Sequence, residues 1–144
     1  MRWLKDTSNE KFSWDTSRLE AVEGYYEIQI SLKNDYILVT VRGNRNYQNS
    51  YEIFEKIVKA CEKFNLFYVL VVSEMTPIST GDGYNHKIIF KEVGITLKHR
   101  IAWVDKNPES LKMDRFIENV LVNRGLLNGR VFGDIEFAKK WLLK

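Results

Sequence analysis

Residues 66–84 read LFYVLVVSEMTPISTGDGY. Leu66 to Val72 are apolar without interruption, and the run then gives way to a polar segment containing the only Ser-Thr-Gly of the chain. A short apolar run enriched in β-branched residues reads as a strand buried on both faces, and such strands sit at the centre of parallel sheets. The polar segment Ser73–Tyr84 then falls at the carboxyl end of that strand, where loops of open α/β sheets carry function.

Working back from this strand, Asn49 and Glu52 have the spacing of a capping box, and Phe54, Ile57, Val58, Cys61 and Phe64 follow at helical intervals, which predicts a helix over about 50–64. Further back, Tyr26, Ile28, Ile30 and Leu32 alternate with Glu27, Gln29, Ser31 and Lys33, the period of a strand with one wet face, and we expect it at the sheet edge. Asn34-Asp35 separates it from Tyr36–Arg42, so the two segments read as an antiparallel hairpin that Gly43 ends. The stretch from Val41 to Leu66 is long enough for a parallel crossover through the predicted helix. Residues 1–24 are polar with isolated Trp3, Phe12, Trp14 and Leu19, the composition of a partly ordered leading arm that docks a few aromatic rings on a domain spanning 25–144.

Forward of the opening strand, Asp82 is placed to cap a helix carrying Ile88, Ile89, Phe90 and Val93 and ending near Gly94. Arg100–Asp105 reads as a short strand, and Asn107-Pro108 as the start of a helix whose buried stripe is Met113, Phe116, Ile117, Val120 and Leu121, with Gly125 just past its end. Arg130–Phe132 is a brief strand. Asp134 then caps a last helix with Phe137, Ala138, Trp141 and Leu142 facing inward and Lys139, Lys140 and Lys144 near its C-terminus. The order β-β-α-β-α-β-α-β-α fits one mixed sheet covered by helices.

At 144 residues the chain suits a single core. An apolar fraction of 44% and only two prolines exclude long disordered tracts. The net charge of +3 is below the clustered basic footprint of a dedicated nucleic-acid binder. Six arginines, 42, 45, 100, 115, 124 and 130, with Tyr47 and Trp103, are interspersed with acids and read as a solvated mixed-charge surface. The single cysteine, Cys61, lies on the apolar face of a predicted helix and reads as a small buried hydrophobe. Neither a signal-peptide core nor a run approaching about 18 apolar residues is present, which fits a cytoplasmic protein without a membrane span.

The leading hairpin, the polar loop after the third strand, the segment RIAWVDK at 100–106 and the ending VFGDIEFAKKWL at 131–142 together resemble the STAS or anti-sigma-factor-antagonist domains, and more closely the SpoIIAA-like proteins, a mostly bacterial group. The resemblance covers 25–144 and implies a STAS-like fold and a regulatory, non-catalytic role in binding another protein. STAS antagonists carry a phosphorylatable serine in an Asp-Ser-Ser/Thr-Gly loop between the third strand and the second helix. The comparable residues here are Ile78-Ser79-Thr80-Gly81, so the resemblance puts Ser79 at the phosphorylated position, with Ile78 where the aspartate stands. Phosphate beside a helix start would change both the cap and any docked surface. The same residues also support a purely structural reading, in which Ser79 or Thr80 satisfies free amides at the helix start.

His86 and His99 are the only histidines, and Asp82 with His86 gives at most two ligands, so no metal site is expected and both histidines read as surface residues. Thr80-Gly-Asp-Gly83 lacks the phosphate-loop pattern and reads as a glycine-bearing turn, and no G-x-S-x-G elbow is present. No cofactor is implied, and no nucleophile, base and oxyanion site match, so no enzymatic turnover is expected. Two functions remain. One is an interaction module that binds an unidentified protein through the loop carrying Ser79, Thr80, Gly81, Asp82 and Tyr84 and through the second helix. The other is a carrier of a small apolar ligand or lipid, with Tyr84, Phe90, Trp103 and Phe116 around a pocket between helices and sheet, suggested by the fold's distant likeness to Sec14-type carriers.

Overall fold

Strands β1 (Leu4–Asp6), β2 (Lys11–Ser13), β3 (Tyr26–Leu32), β4 (Ile37–Gly43), β5 (Tyr68–Met75), β6 (Arg100–Asp105) and β7 (Asn128–Phe132) follow one another across a single sheet in chain order. They come from a computed structural model that describes residues 4–6, 11–13 and 24–144. Pairing is antiparallel from β1 to β4 and parallel from β4 to β7. β5 lies between β4 and β6 with Val69 to Ser73 all buried, so the opening apolar run is the central strand it was read to be.

The helices are α1 (Tyr47–Phe64), α2 (Thr80–Tyr84), α3 (His86–Val93), α4 (Pro108–Asn123) and α5 (Ile135–Leu142). α1, α3 and α4 arise in consecutive parallel crossovers, and crossovers of one hand running in one direction place their helices on one face. There Phe54, Ile57, Ile89, Phe90, Ile117 and Leu121 meet Val39, Val41, Val71 and Trp103 in the larger core. The opposite face is narrower: Leu70, Val72, Ala102 and Val104 pack against Ala138 and Leu142 of α5.

The predicted fold is recognisable, with corrections in its details. β3 is not an edge strand, because β2 pairs with it in front of β4. Its wet residues Glu27 and Gln29 face the side of the sheet that the single helix α5 leaves uncovered, so alternation reported an open face rather than a free edge. The side-chain docking expected of the leading arm lies outside the described residues. α1 starts earlier than predicted: Asn46 is its cap and accepts from Asn49 N–H at 2.8 Å, while the Asn49 amide itself donates to the carbonyls of Gly24 and Asn44. Among the described residues the one non-glycine with positive φ is Asn65, which ends α1, and the hairpin turn at Asn34-Asp35 does without it.

Two residues expected to face inward, Phe137 and Phe116, lie outside, as does Tyr68 of the run read as buried on both faces, at 42% exposure. Phe137 is 66% exposed, because α5 sits alone on its face and buries only the stripe of Ala138 and Leu142. Phe116 and Ile88 are also exposed, since Ile117, Leu121, Ile89 and Phe90 already fill the contact with the sheet. Gly94 and Gly125 end α3 and α4 with positive φ, as their positions predicted.

Candidate functional site

The carboxyl ends of β4, β5 and β6 carry a buried polar node. Gly43 ends β4 and hands the chain to Arg45, whose N–H donates to Thr76 Oγ1 at 3.1 Å, while Thr76 N–H donates to the Gly43 carbonyl at 2.9 Å. These bonds tie the loop before α1 to the loop after β5. Arg45 is only 7% exposed; its guanidinium pairs with Asp114 of α4 and lies 4.7 Å from the centroid of the Trp103 ring. An ion pair taken out of water must be closely matched to offset its desolvation, and here the aromatic face supplies a further contact.

Asp105, the last residue of β6, is buried beside Asp114 and accepts the Asn107 N–H through Oδ1 at 3.0 Å. Burial raises its pKa to about 7, helped by the hydrogen bond with Asp114 and that carboxylate's charge and opposed by Arg45. Below neutrality Asp105 therefore keeps its proton beside the Asp114 carboxylate. The node then holds one cation, one anion and a neutral acid, which is the arrangement a dry interior tolerates. Ser110 Oγ donates to the Met75 carbonyl at 3.0 Å, fastening α4 to the end of β5.

His86 begins α3 and is 0% exposed. Burial, then the Arg45 charge, lower its pKa to about 3, so the ring is neutral. Its Nδ1 lies 2.9 Å from the Asp82 carbonyl, which only accepts, so Nδ1 carries the hydrogen and Nε2 presents a lone pair. His99 is buried as well, edge-on to Phe67 at 5.3 Å, and its Nδ1 accepts the Thr96 N–H at 3.0 Å. Both histidines thus correct the surface reading, as do Arg45 and Trp103. Among the described residues no group of three or more His, Cys, Asp or Glu side chains is placed to hold a metal. Cys61 is buried in the larger core, where burial pushes its thiol up to about 12.

Above the node lies the loop singled out in the sequence. Ile78 is buried and anchors it, whereas Ser79, Thr80 and Gly81 are exposed. The structural reading of Ser79 holds, and the cap expected at Asp82 does not: Ser79 Oγ accepts Asp82 N–H at 3.2 Å. The predicted second helix is two helices, because Asn85 both ends α2 and starts α3. Gly83 is buried against Met113 and Ile117 of α4; a Cβ there would come within 3.3 Å of Ile117. Tyr84 is 37% exposed, and its hydroxyl accepts from Lys87 Nζ at 3.0 Å and Arg124 Nη2 at 3.3 Å. The Lys87 hydrogen bond, then the charges of Lys87 and Arg124, lower its pKa. With Ile88 at 41% exposure and Phe116 also outside, the end of the domain over α2, α3 and α4 carries apolar rings and a branched chain with cations among them.

The sequence did not single out Asp105 or Asp114, yet each leaves a trace. Asp105 closes the otherwise apolar Ile101–Val104, and Asp114 precedes Ile117 and Leu121 at i+3 and i+7, placing a carboxylate on a buried stripe. The cavity beside the node is lined by Phe90 and Trp103, as the pocket reading expected, but Tyr84 and Phe116 are not among its walls.

Two crystal structures share this architecture. An anti-sigma factor antagonist from Mycobacterium paratuberculosis is 10% identical, with 85% of this chain and 98% of that one covered at a TM-score of 0.57. An uncharacterised protein from Shewanella loihica with a SpoIIAA-like fold is 16% identical, with 81% and 93% covered at a TM-score of 0.51. The chain has a SpoIIAA-like fold. At these identities the likeness is one of fold alone, and no protein-family profile and no curated protein matches the sequence. Within the SpoIIAA-like fold, the node and the capped loop occupy the carboxyl end of the parallel strands, and among the described residues no helix is long and apolar enough to cross a membrane.

Proposed function

We propose that the domain is a non-catalytic, regulatory protein-interaction module whose partner docks on the polar segment read as the loop Ser73–Tyr84 from Thr76 onward, since Ser73 and Met75 are buried in β5, on α2 and α3, and on the adjoining stripe of α4. The observation that carries this reading is the exposure of Tyr84, Ile88 and Phe116 on α2, α3 and α4, with Lys87 and Arg124 both on the Tyr84 hydroxyl. Aromatic residues and arginine are the side chains enriched where proteins bind one another. One structure of the same fold is described as an anti-sigma factor antagonist, which supports a protein partner. Catalysis has no support at this end of the sheet, since His86 is buried and turned to a main-chain carbonyl and is no base for the exposed Ser79 hydroxyl.

Phosphorylation of Ser79 would place about two negative charges on this face and replace the capping hydroxyl, giving the docking surface a switch. Intact-mass measurement on protein from its native cells, with Ser79→Ala as control, tests that step; a wild type that never carries phosphate leaves Ser79 a cap. The apolar-ligand reading has less support, because the cavity walled by Phe90 and Trp103 measures about 40 Å³, whereas small-molecule sites occupy roughly 300–1,000 Å³.

Affinity capture from native lysate with wild type, Ile88→Glu and Phe137→Glu tests the docking face. Ile88→Glu is expected to lose a partner that wild type and Phe137→Glu retain. Retention by Ile88→Glu with loss by Phe137→Glu would move the docking face to α5.

A further inference from the structure

The node contains more hydrogen-bonding capacity than the protein itself satisfies. Among the described residues, His86 Nε2, Trp103 Nε1, Asp105 Oδ2 and Asp114 Oδ2 are buried without a hydrogen-bond partner. The Asp105 proton has the Asp114 carboxylate as its neighbour. That leaves an indole N–H, which can only donate, and an imidazole lone pair, which can only accept. Native interiors rarely leave such groups unpaired.

Arg45, His86, Trp103 and Asp114 all wall one cavity of about 40 Å³, whose remaining lining includes Phe54, Phe90, Ile117 and Leu121 and, toward its outer end, Glu118 and Arg130. A site holds water when it offers at least about 10–15 Å³ and two to four polar partners. Both conditions are met. Charge decides against an anion, because Arg45 is already neutralised by Asp114, Arg130 acts on the Glu118 carboxylate, and an anion would face both acids. Volume decides against anything larger than one or two water-sized molecules.

We propose that this cavity is a binding site for internal water, one molecule of which accepts from Trp103 Nε1–H and donates to His86 Nε2 and Asp114 Oδ2. Every polar group then finds a complement: the water uses both hydrogens and a lone pair, and Asp114 Oδ1 remains with Arg45. The water joins α3, β6 and α4 through their side chains, at the level where β4, β5 and β6 end. It is a structural ligand of the domain and does not depend on the docking face proposed above.

The test is nuclear magnetic resonance of the ¹⁵N-labelled full chain, in which the Trp103 indole resonance is assigned by its loss in Trp103→Phe. A direct water cross-peak is expected at the slowly exchanging Trp103 Hε1, with the sign of a bound rather than a freely tumbling molecule. A crystal structure is expected to show density at about 2.7–3.2 Å from both Trp103 Nε1 and His86 Nε2. A slowly exchanging indole with no water cross-peak would overturn the proposal. So would a direct Trp103 Nε1–His86 Nε2 hydrogen bond, or xenon occupying the cavity under pressure, since dry apolar cavities take up xenon.

Discussion

Burial holds the Asp105 carboxyl protonated up to about 7, against an ordinary 3.8, and the His86 ring neutral down to about 3, against an ordinary 6.5. The two effects have opposite signs in stability. Between about pH 4 and 7 the unfolded chain has released the Asp105 proton that the folded chain keeps, so this residue lowers stability as pH rises. Between about pH 3 and 6.5 the unfolded chain has protonated His86 and the folded chain has not, so this residue raises stability as pH rises. One proton in either direction gives at most about 1.4 kcal/mol per pH unit, and the two slopes offset each other where the windows overlap. Urea unfolding at stepped pH is expected to show Asp105→Asn gaining stability with pH between about 4 and 6.5 relative to wild type, and His86→Gln losing it. Wild-type slopes in both variants would contradict the burial of the node. Gly43 permits a sharper test of position. At φ +119 a Cβ would lie 2.5 Å from the Tyr25 carbonyl oxygen and 2.7 Å from Tyr26 Cα, so Gly43→Ala must displace backbone. A loss of about 2 kcal/mol or more in chemical denaturation is expected, because neither contact is a side chain that can swing away.

At the scale of elements, α2 has five residues and little intrinsic helical stability, so its cap and its contact with α4 decide whether it forms. Ser79→Ala is expected to cost about 1 kcal/mol and Ser79→Asp almost nothing, since aspartate caps as well as serine. Denaturation midpoints check this, and a costly Ser79→Asp would mean that the hydroxyl does more than accept the Asp82 N–H. Gly83→Val sets two methyl groups against Ile117 and Met113 and is expected to destabilise by about 1–3 kcal/mol, with the Tyr84 resonances shifting as α2 lifts from α4. The break at Asn85 also shows what sequence could convey. Ile89, Phe90 and Val93 were legible as a helix because their spacing is set by the core they face. The sequence offered Asp82 as the cap beside a structural reading of Ser79 or Thr80, because these residue types cap about equally well, and the structure settles on Ser79. Strand β5 was plain because burial of Val69 to Ser73 leaves no polar alternation there. The node was obscure because Arg45, Asp105 and Asp114 come from three separate segments, and only topology makes them neighbours.

Across the whole molecule the two faces of the sheet differ in depth, and a single side chain ties the shallower one. The larger core engages three helices, whereas α5 covers its face through buried Ala138 and Leu142, with Ile135 and Trp141 partly buried beside them. Arg100, at the start of β6, reaches across to the end of α5: Nη2 donates to the Trp141 carbonyl at 2.6 Å, Nε to the Leu142 carbonyl at 3.2 Å, and the guanidinium stacks 3.7 Å from the Trp141 ring centroid. The last carbonyls of a helix lack intrahelical partners and carry the negative end of its dipole, so the half-buried planar cation of Arg100 is well matched to them. Hydrogen bonds to a charged donor contribute about 1.5–3 kcal/mol, equivalent to about 10- to 100-fold in an opening equilibrium. Arg100→Ala is therefore expected to speed hydrogen exchange at the amides of α5 by about 10- to 100-fold while those of α1 and β5 keep wild-type rates, because α5 can open without disturbing the larger core. Arg100→Lys is expected to restore little, since an ammonium neither forks to two carbonyls nor stacks as a plane. Uniform acceleration across both faces would show instead that α5 and the sheet unfold as one unit.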